Sequence, residues 1–258
     1  MQNIIELKNI GYSYHTLAGE TKALHDISFG IKEGEFVAIV GPSGCGKSTL
    51  LSIIAGLLKP GTGTIAVNNP DGSLHYPRIG YMLQRDHLFE WRTIYKNAIL
   101  GLEINNMLTE ERLTYVDQLF LDYDLDKFRD KRPSELSGGM KQRAALIRTM
   151  ALDPQLLLLD EPFSALDYQT RLMVSADICH LIRNAGKTMI IITHDLSEAI
   201  SLADRIIVLS HRPATVKKEI PITLTLPDDT PLAARNAPEF SSYFKQLWEE
   251  MTNETEKQ

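Results

Sequence analysis

Residues 36–58 read FVAIVGPSGCGKSTLLSIIAGLL: an apolar run, a glycine-rich stretch and an amphipathic segment joined without a break. The run around 35–40 has the length and composition of a buried strand, and Leu50, Ile53, Ile54 and Leu57 fall on one face of a helix that begins near Gly46. The same alternation returns along the chain. Residues 4–8, RIGYML (78–83), QLLLLD (155–160), KTMIIITHD (187–195) and DRIIVLS (204–210) read as strands. TEERLTYVDQLFLDY (109–123), residues 167–185 up to Gly186, and LSEAISLA (196–203) read as helices. Thr109 with Arg112 is half a capping box, and Glu110 and Glu111 suit a first helical turn. Strands alternating with helices imply a parallel sheet covered on both faces. The helical stretch from about 93 to 152 has the look of an inserted subdomain, and KPGTGTIAVNNPDG (59–72) reads as a turn, a strand and a hairpin tip. Phe240, Phe244, Leu247, Trp248 and Met251 lie at helical spacing and are expected to pack, with a frayed polar tail after them.

Composition narrows the function classes. A formal net charge of −6 and no long basic block give nucleic-acid binding no support. Apolar runs such as LLLL at 156–159 are too short to cross a bilayer, and MQNIIELKNI lacks a signal pattern, so a cytoplasmic location is expected. The two cysteines, Cys45 and Cys179, form no spaced pair, which argues against a disulfide framework or a zinc site.

The glycine-rich stretch fits G-x-x-x-x-G-K-[ST], with Gly41, Pro42, Ser43, Gly44, Cys45, Gly46, Lys47, Ser48 and Thr49 between a strand and a helix. Glycines let backbone N–H groups turn inward around a phosphate, and the helix points its positive end at the same spot. Lys47 can reach the β- and γ-phosphates, and the Ser48 hydroxyl can bind Mg²⁺, so the stretch is expected to hold a nucleoside triphosphate. Such a loop needs a carboxylate near the metal. LLLLDE supplies Asp160 at the end of a buried strand to order the Mg²⁺ shell, and Glu161 follows where a general base would face the attacking water. LSGGMKQR (136–143) is a second anion site of the same physical kind, a Ser-Gly-Gly opening a helix. One chain with one γ-phosphate does not need two such sites; two chains facing each other do.

With GPSGCGKST, LSGGMKQR, LLLLDEP and SALD in this order, the sequence resembles the nucleotide-binding subunit of ABC (ATP-binding cassette) transporters from about residue 3 to about 220. The resemblance implies an α/β P-loop NTPase (RecA-like) core with a mostly parallel sheet, an antiparallel β subdomain and an inserted α-helical subdomain at about 85–150. It makes residues 1–220 the cassette, and 221–258 a short C-terminal helical extension with a polar tail. It also implies roles at matching positions: Tyr14 stacking on adenine, with Tyr12 the rival; Gln84 touching Mg²⁺ and sensing a membrane partner; Ser137, Gly138 and Gly139, with Gln142 in the same motif, meeting ATP bound by the other subunit; Asp167 at the dimer seam; and His194 near the γ-phosphate. Glu198 is expected on the exposed face of the helix after it. The implied cofactors are ATP and Mg²⁺. The implied partners are a second copy in a head-to-tail homodimer, integral membrane permease subunits and, indirectly, an extracytoplasmic solute-binding protein, with the chain peripheral on the cytoplasmic face of the cell membrane.

QRDHLFEWRTIYKNAILGLEI (84–104) is similar to the corresponding region of importers for nitrate, sulfonates, taurine and some pyrimidine-type vitamin precursors, with Glu90 where proline is usual and Ile94 where valine is common. IRTM at 147–150 departs from the subgroup's usual ARAL. Leu88, Phe89 and Trp91 either form part of a groove for a permease helix or pack the helical subdomain. Cys45, beside Lys47 at a helix N-terminus, is expected to have a lowered thiol pKa, or else is simply a small residue that fits. A stand-alone soluble ABC ATPase is the alternative to the importer subunit.

Overall fold

The computed structural model describes residues 3–17, 19–67, 76–226 and 231–252. In chain order the elements are β1 (Asn3–Thr16), β2 (Gly19–Lys32), β3 (Phe36–Val40), α1 (Lys47–Ile54), β4 (Thr62–Val67), β5 (Ile79–Met82), α2 (Ile94–Ala98), α3 (Leu100–Ile104), α4 (Glu110–Asp122), α5 (Gly138–Met150), β6 (Leu156–Asp160), α6 (Tyr168–Asn184), β7 (Thr188–Ile192), α7 (Leu196–Leu202), β8 (Arg205–Leu209), β9 (Val216–Pro221), α8 (Pro231–Asn236) and α9 (Phe240–Thr252). By internal packing they group into two units, Met1–Pro77 with Thr188–Gln258, and Arg78–Lys187.

In the first unit, β1 runs antiparallel between β2 and β4. β1 extends well past the expected 4–8 because β2 gives it a partner as far as Thr16, with irregular register between Leu7 and Ser13. Ile5, Leu7, Ile27, Phe29 and Ile31 bury the inner face of this pair. β3 is buried along its whole length, parallel to β7 on one side and to β8 on the other, and β9 closes against β8 antiparallel. A strand flanked on both sides in this way has no solvent face, which is why FVAIV carries no polar residue. α1 stops at Ile54, and Gly56 follows at φ +72, so Leu57 lies beyond the helix and is exposed rather than on its apolar face.

Two later helices of this unit also depart from expectation. Glu198 is 5% exposed, not on a solvent face, because α8, α9 and β3 all pack against α7. The packing stripe of α9 holds fully only at Leu247; Trp248 is exposed and stacks on Phe244 with ring centroids 6.3 Å apart. The hairpin tip at 68–72 and the polar tail from 253 onward lie outside the described residues.

In the second unit, β5 and β6 pair in parallel, from Ile79 beside Leu156 to Met82 beside Leu159. α5 packs on β5 and touches α2, α3, α4 and α6. The expected helical insertion, 85–150, falls inside this unit, which also takes in β5, β6 and α6. Thr109 caps α4, its hydroxyl accepting from the Arg112 N–H at 3.3 Å, with Glu110 and Glu111 in the first turn. α6 stops before Gly186, at φ +63.

One cation ties the sheets of the first unit together. Arg205 on β8 donates to both carboxylate oxygens of Glu35, at 2.8 and 3.0 Å, to the Gly30 carbonyl of β2 at 2.6 Å, and to Glu219 on β9. Burial opposes its charge, but Glu35 and Glu219 outweigh that and raise its pKa. Arg205→Met leaves Glu35 half-buried without its counter-charge. Urea unfolding of this variant is expected to show a loss on the order of 3 kcal/mol, the range for breaking a buried pair from one side.

Candidate active site

The first unit supplies a loop shaped by missing side chains. Gly44 has φ +71 and Gly46 φ +126, and a Cβ on Gly46 would lie 2.9 Å from Leu24 Cδ2 and 3.1 Å from the Ala23 carbonyl oxygen. A Cβ on Gly41 would press at 3.1 Å on Cys45 Sγ and on Leu209. Gly46 is the N-cap of α1 and offers no side chain to its first N–H groups, leaving them for an outside acceptor. Lys47 is buried, and its ammonium donates to the Gly41 and Pro42 carbonyls at 2.8 and 2.9 Å, so it lies across the loop. Ser48 is exposed on the first turn of α1, and Ser43 is exposed on the loop.

Of the two candidate tyrosines, Tyr14 is the one bonded to α1, its hydroxyl 3.0 Å from Thr49 Oγ1. Tyr12 meets Tyr14 edge-on at 5.0 Å and lines a cavity of about 550 Å³ with Ser13, His15, Glu20 and Lys22. Arg212, which no motif pointed to, donates from Nη2 to the Gly44 carbonyl at 2.5 Å and adds a second cation to the loop. His194 is exposed between β7 and α7. Its turn is set by the Thr193 hydroxyl, which accepts from the Asp195 N–H at 3.0 Å, and by the Asp195 carboxylate, which caps α7 through the Ser197 and Glu198 N–H groups.

Cys45 is corrected. It is 2% exposed, and burial pushes its thiol up against the opposing pull of Lys47, local N–H groups and Arg212. The lowering influences expected from the sequence are present, but desolvation wins.

The second unit supplies the carboxylates. Asp160 ends β6 and is buried; Glu161 follows at φ +45, a left-handed conformation that a non-glycine residue holds only where its surroundings impose it. The Glu161 carbonyl accepts from the Ser164 N–H and hydroxyl at 3.2 and 3.0 Å, closing the turn. Because β5 and β6 run parallel side by side, the residues just past their ends meet: Gln84 Nε2 donates to Glu161 Oε2 at 3.2 Å. The Gln84 amide oxygen is then the atom left to face a cation.

Ser137 caps α5, its hydroxyl accepting from the Met140 N–H at 3.4 Å, with Gly138 exposed beside it. Gly139 packs on α6, where a Cβ would lie 3.1 Å from Val174 Cγ2 and 3.3 Å from Thr170 Cγ2. Asp167 caps α6, and its bonds with Thr170 hold the carboxyl below the usual carboxylate range. Gln142 departs from its neighbours: at 3% exposed it faces the interior of the unit, and its Oε1 has no hydrogen-bond partner. Its burial sets Gln142 apart from Ser137 and Gly138, which are exposed at the start of α5.

Within the second unit, Asp160 and Gln84 offer carboxylate and amide oxygens, hard donors of the kind Mg²⁺ takes, and no group of three His, Cys, Asp or Glu suited to a metal occurs among the described residues. No helix among the described residues is long and apolar enough to cross a membrane.

Residues 24–164 match the sequence model of a family described as ABC transporter. The chain belongs to the ABC transporter family. It is 42% identical over 256 residues to the uncharacterized ABC transporter ATP-binding protein YtlC of Bacillus subtilis (strain 168), covering 99% of this chain and 98% of that protein. It is 41% identical over 203 residues to the taurine import ATP-binding protein TauB of Jannaschia sp. (strain CCS1), covering 78% and 75%. With the nitrate import ATP-binding protein NrtD of Synechocystis sp. (strain ATCC 27184 / PCC 6803 / Kazusa) it shares 37% identity, covering 94% and 93%. Among solved structures it is similar to the dimeric ATP-binding cassette MJ0796 bound to ADP and Pi in a post-hydrolysis state, with TM-score 0.71 and 31% identity over 85% of this chain and 99% of that one. The ABC chain is thus an ATP-binding subunit and an ATPase, on the α/β P-loop NTPase fold.

The buried, raised Cys45 thiol predicts slow alkylation. At pH 7.5 iodoacetamide is expected to leave Cys45 unmodified in the folded chain over a period that fully labels the urea-unfolded chain, read by intact mass. Fast, ATP-protected labelling of Cys45 would show a thiolate instead.

Proposed function

We propose that this ABC subunit energises a membrane importer of a small solute, working as a head-to-tail pair of identical subunits on the cytoplasmic face of the cell membrane. The observation that carries the importer reading is Trp91, 71% exposed in the loop before α2. A large aromatic left in solvent is not core packing, and beside Phe89, with ring centroids 4.7 Å apart, it offers an anchor for a permease helix. Leu88 is buried and supports the loop from beneath. The relatives named for taurine and nitrate import support the same reading and favour a small, often anionic solute; the resemblance of residues 84–104 keeps a vitamin-precursor-like solute in range. In this reading the choice of solute belongs to the permease and an external solute-binding protein.

In this reading residues 1–220 form the cassette and 221–258 a C-terminal extension. Gly41 to Thr49 wrap the phosphates of ATP, with Lys47 leaving its two loop carbonyls for the β- and γ-phosphates, and Tyr14 taking the adenine face. Ser48, Asp160 and Gln84 hold Mg²⁺, which when bound neutralises phosphate charge. Ser137, Gly138 and Gly139 face the nucleotide of the second copy, and Asp167 lies at the seam between copies. Glu161, oriented by Gln84, accepts the proton of the attacking water, and His194 stabilises charge at the γ-phosphate. Hydrolysis to ADP and phosphate removes the bond that holds the pair closed.

Two measurements test this. Glu161→Gln is expected to lower kcat by about 10²-fold or more while an ATP-dependent dimer accumulates on size exclusion; near-normal turnover would remove Glu161 from the role. Affinity capture of the tagged Glu161→Gln chain with ATP in mild detergent is expected to recover a multi-span permease, and Trp91→Ala to lose it with soluble ATPase activity kept. Recovery of soluble partners alone would point to a stand-alone ATPase.

A further inference from the structure

Between Gln84 and α2 the chain has no regular structure, yet it is anchored at two places. Arg148, near the C-terminal end of α5, donates from Nη1 to the His87 carbonyl at 2.7 Å and from Nη2 to the Asp86 carbonyl at 2.6 Å. Asn97, fully buried on α2, accepts from the Phe89 N–H at 2.7 Å and donates from Nδ2 to the Phe89 and Thr93 carbonyls at 3.1 and 3.0 Å. The loop's own turns bind locally: the Leu88 N–H to the Asp86 carboxylate at 3.1 Å, and the Arg92 N–H to the Phe89 carbonyl at 3.0 Å. His87 is held at φ +46 between the two anchors. A planar guanidinium spans two successive carbonyls, whereas an ammonium directs one donor at each acceptor with no fixed fork.

The other end of α5 carries Ser137, Gly138 and Gly139. Ser137 and Arg148 are eleven residues apart on one uninterrupted helix, about 16 Å along its axis. We propose that Arg148 is a positioning residue that ties the loop from Gln84 to Trp91 to α5, so that seating Ser137–Gly139 on a nucleotide moves Gln84 and Trp91 with that helix. Upstream of the clamp, Gln84 is bonded to Glu161; downstream, Trp91 is the exposed aromatic. One helix therefore reports nucleotide engagement both to the carboxylate assigned as base and to the surface assigned to the permease. The inference rests on the function proposed above for Glu161 and Trp91.

The chain has two tryptophans, Trp91 and Trp248, so Trp248→Phe leaves Trp91 as the only tryptophan, excited selectively at the red edge of the band where tyrosine does not absorb. In that background, the β,γ-imido analogue of ATP with Mg²⁺ is expected to change Trp91 emission and acrylamide quenching. Adding Arg148→Met should abolish most of that change and lower kcat about tenfold, with analogue Kd and the KM for ATP within about twofold, since positioning rather than binding is lost. Arg148→Lys, which keeps the charge and one donor, should fall between the two and carries the test if the methionine variant does not fold. A folded Arg148 variant with full Trp91 response and unchanged kcat overturns the proposal, and so does a Trp91 signal that ignores nucleotide in the Trp248→Phe chain. Failure of the underlying function shows separately, as insensitivity of turnover to Glu161→Gln in the same background whatever Arg148 does.

Discussion

The backbone at Gly46 is the constraint from which the nucleotide-binding half follows. At φ +126, with Leu24 and the Ala23 carbonyl too close to admit a Cβ, it turns the end of β3 sharply into α1. β3 can serve as the fixed side of that turn because β7 and β8 hold it on both edges and it is buried throughout. The helix start then lacks a side-chain cap, and its first N–H groups remain available to an anion. Lys47 spans the same hollow through two backbone carbonyls, so the loop is preorganised around a cation before any phosphate arrives.

The second unit solves a different problem, the placement of a carboxylate. Parallel pairing of β5 with β6 brings Gln84 and Glu161 into hydrogen-bond contact just past the strand ends. Glu161 holds a left-handed backbone that costs of order 1–3 kcal/mol in most settings, and the Ser164 contacts to its carbonyl close the turn that imposes it. Glu161 shares this left-handed backbone with six other described non-glycine residues, and it is the one of them assigned to base catalysis. α5 serves both purposes, with Ser137 capping one end and Arg148 gripping the Gln84 loop from the other.

Much of this was readable before any coordinates. The run FVAIV, the loop glycines, Thr109 as a cap and Gly186 as a stop each follow from local rules that need no partner. The departures share one cause. β2 escaped notice because KALHDISFGIK mixes its alternation around an irregular register. Glu198 read as a residue on the exposed face of its helix, but α8, α9 and β3 cover it. The Cys45 thiol was judged from its two nearest positive influences, while burial, which depends on the whole surround, set the sign.

The sequence by itself determined the chemistry on offer: which residues lack side chains, which carry charge or hydroxyls, and in what order they follow strands and helices. These are properties of short segments, where steric and hydrogen-bonding rules act over a few residues. Only the tertiary structure decided which of these groups are buried, which meet across distant segments, and which unannounced residues hold them. Arg212 on the Gly44 carbonyl, Arg148 on the carbonyls of Asp86 and His87, and Asn97 of α2 on the Phe89 carbonyl are backbone-directed contacts. A carbonyl accepts from any donor that reaches it, whatever its own side chain, so such contacts leave no pattern in the sequence.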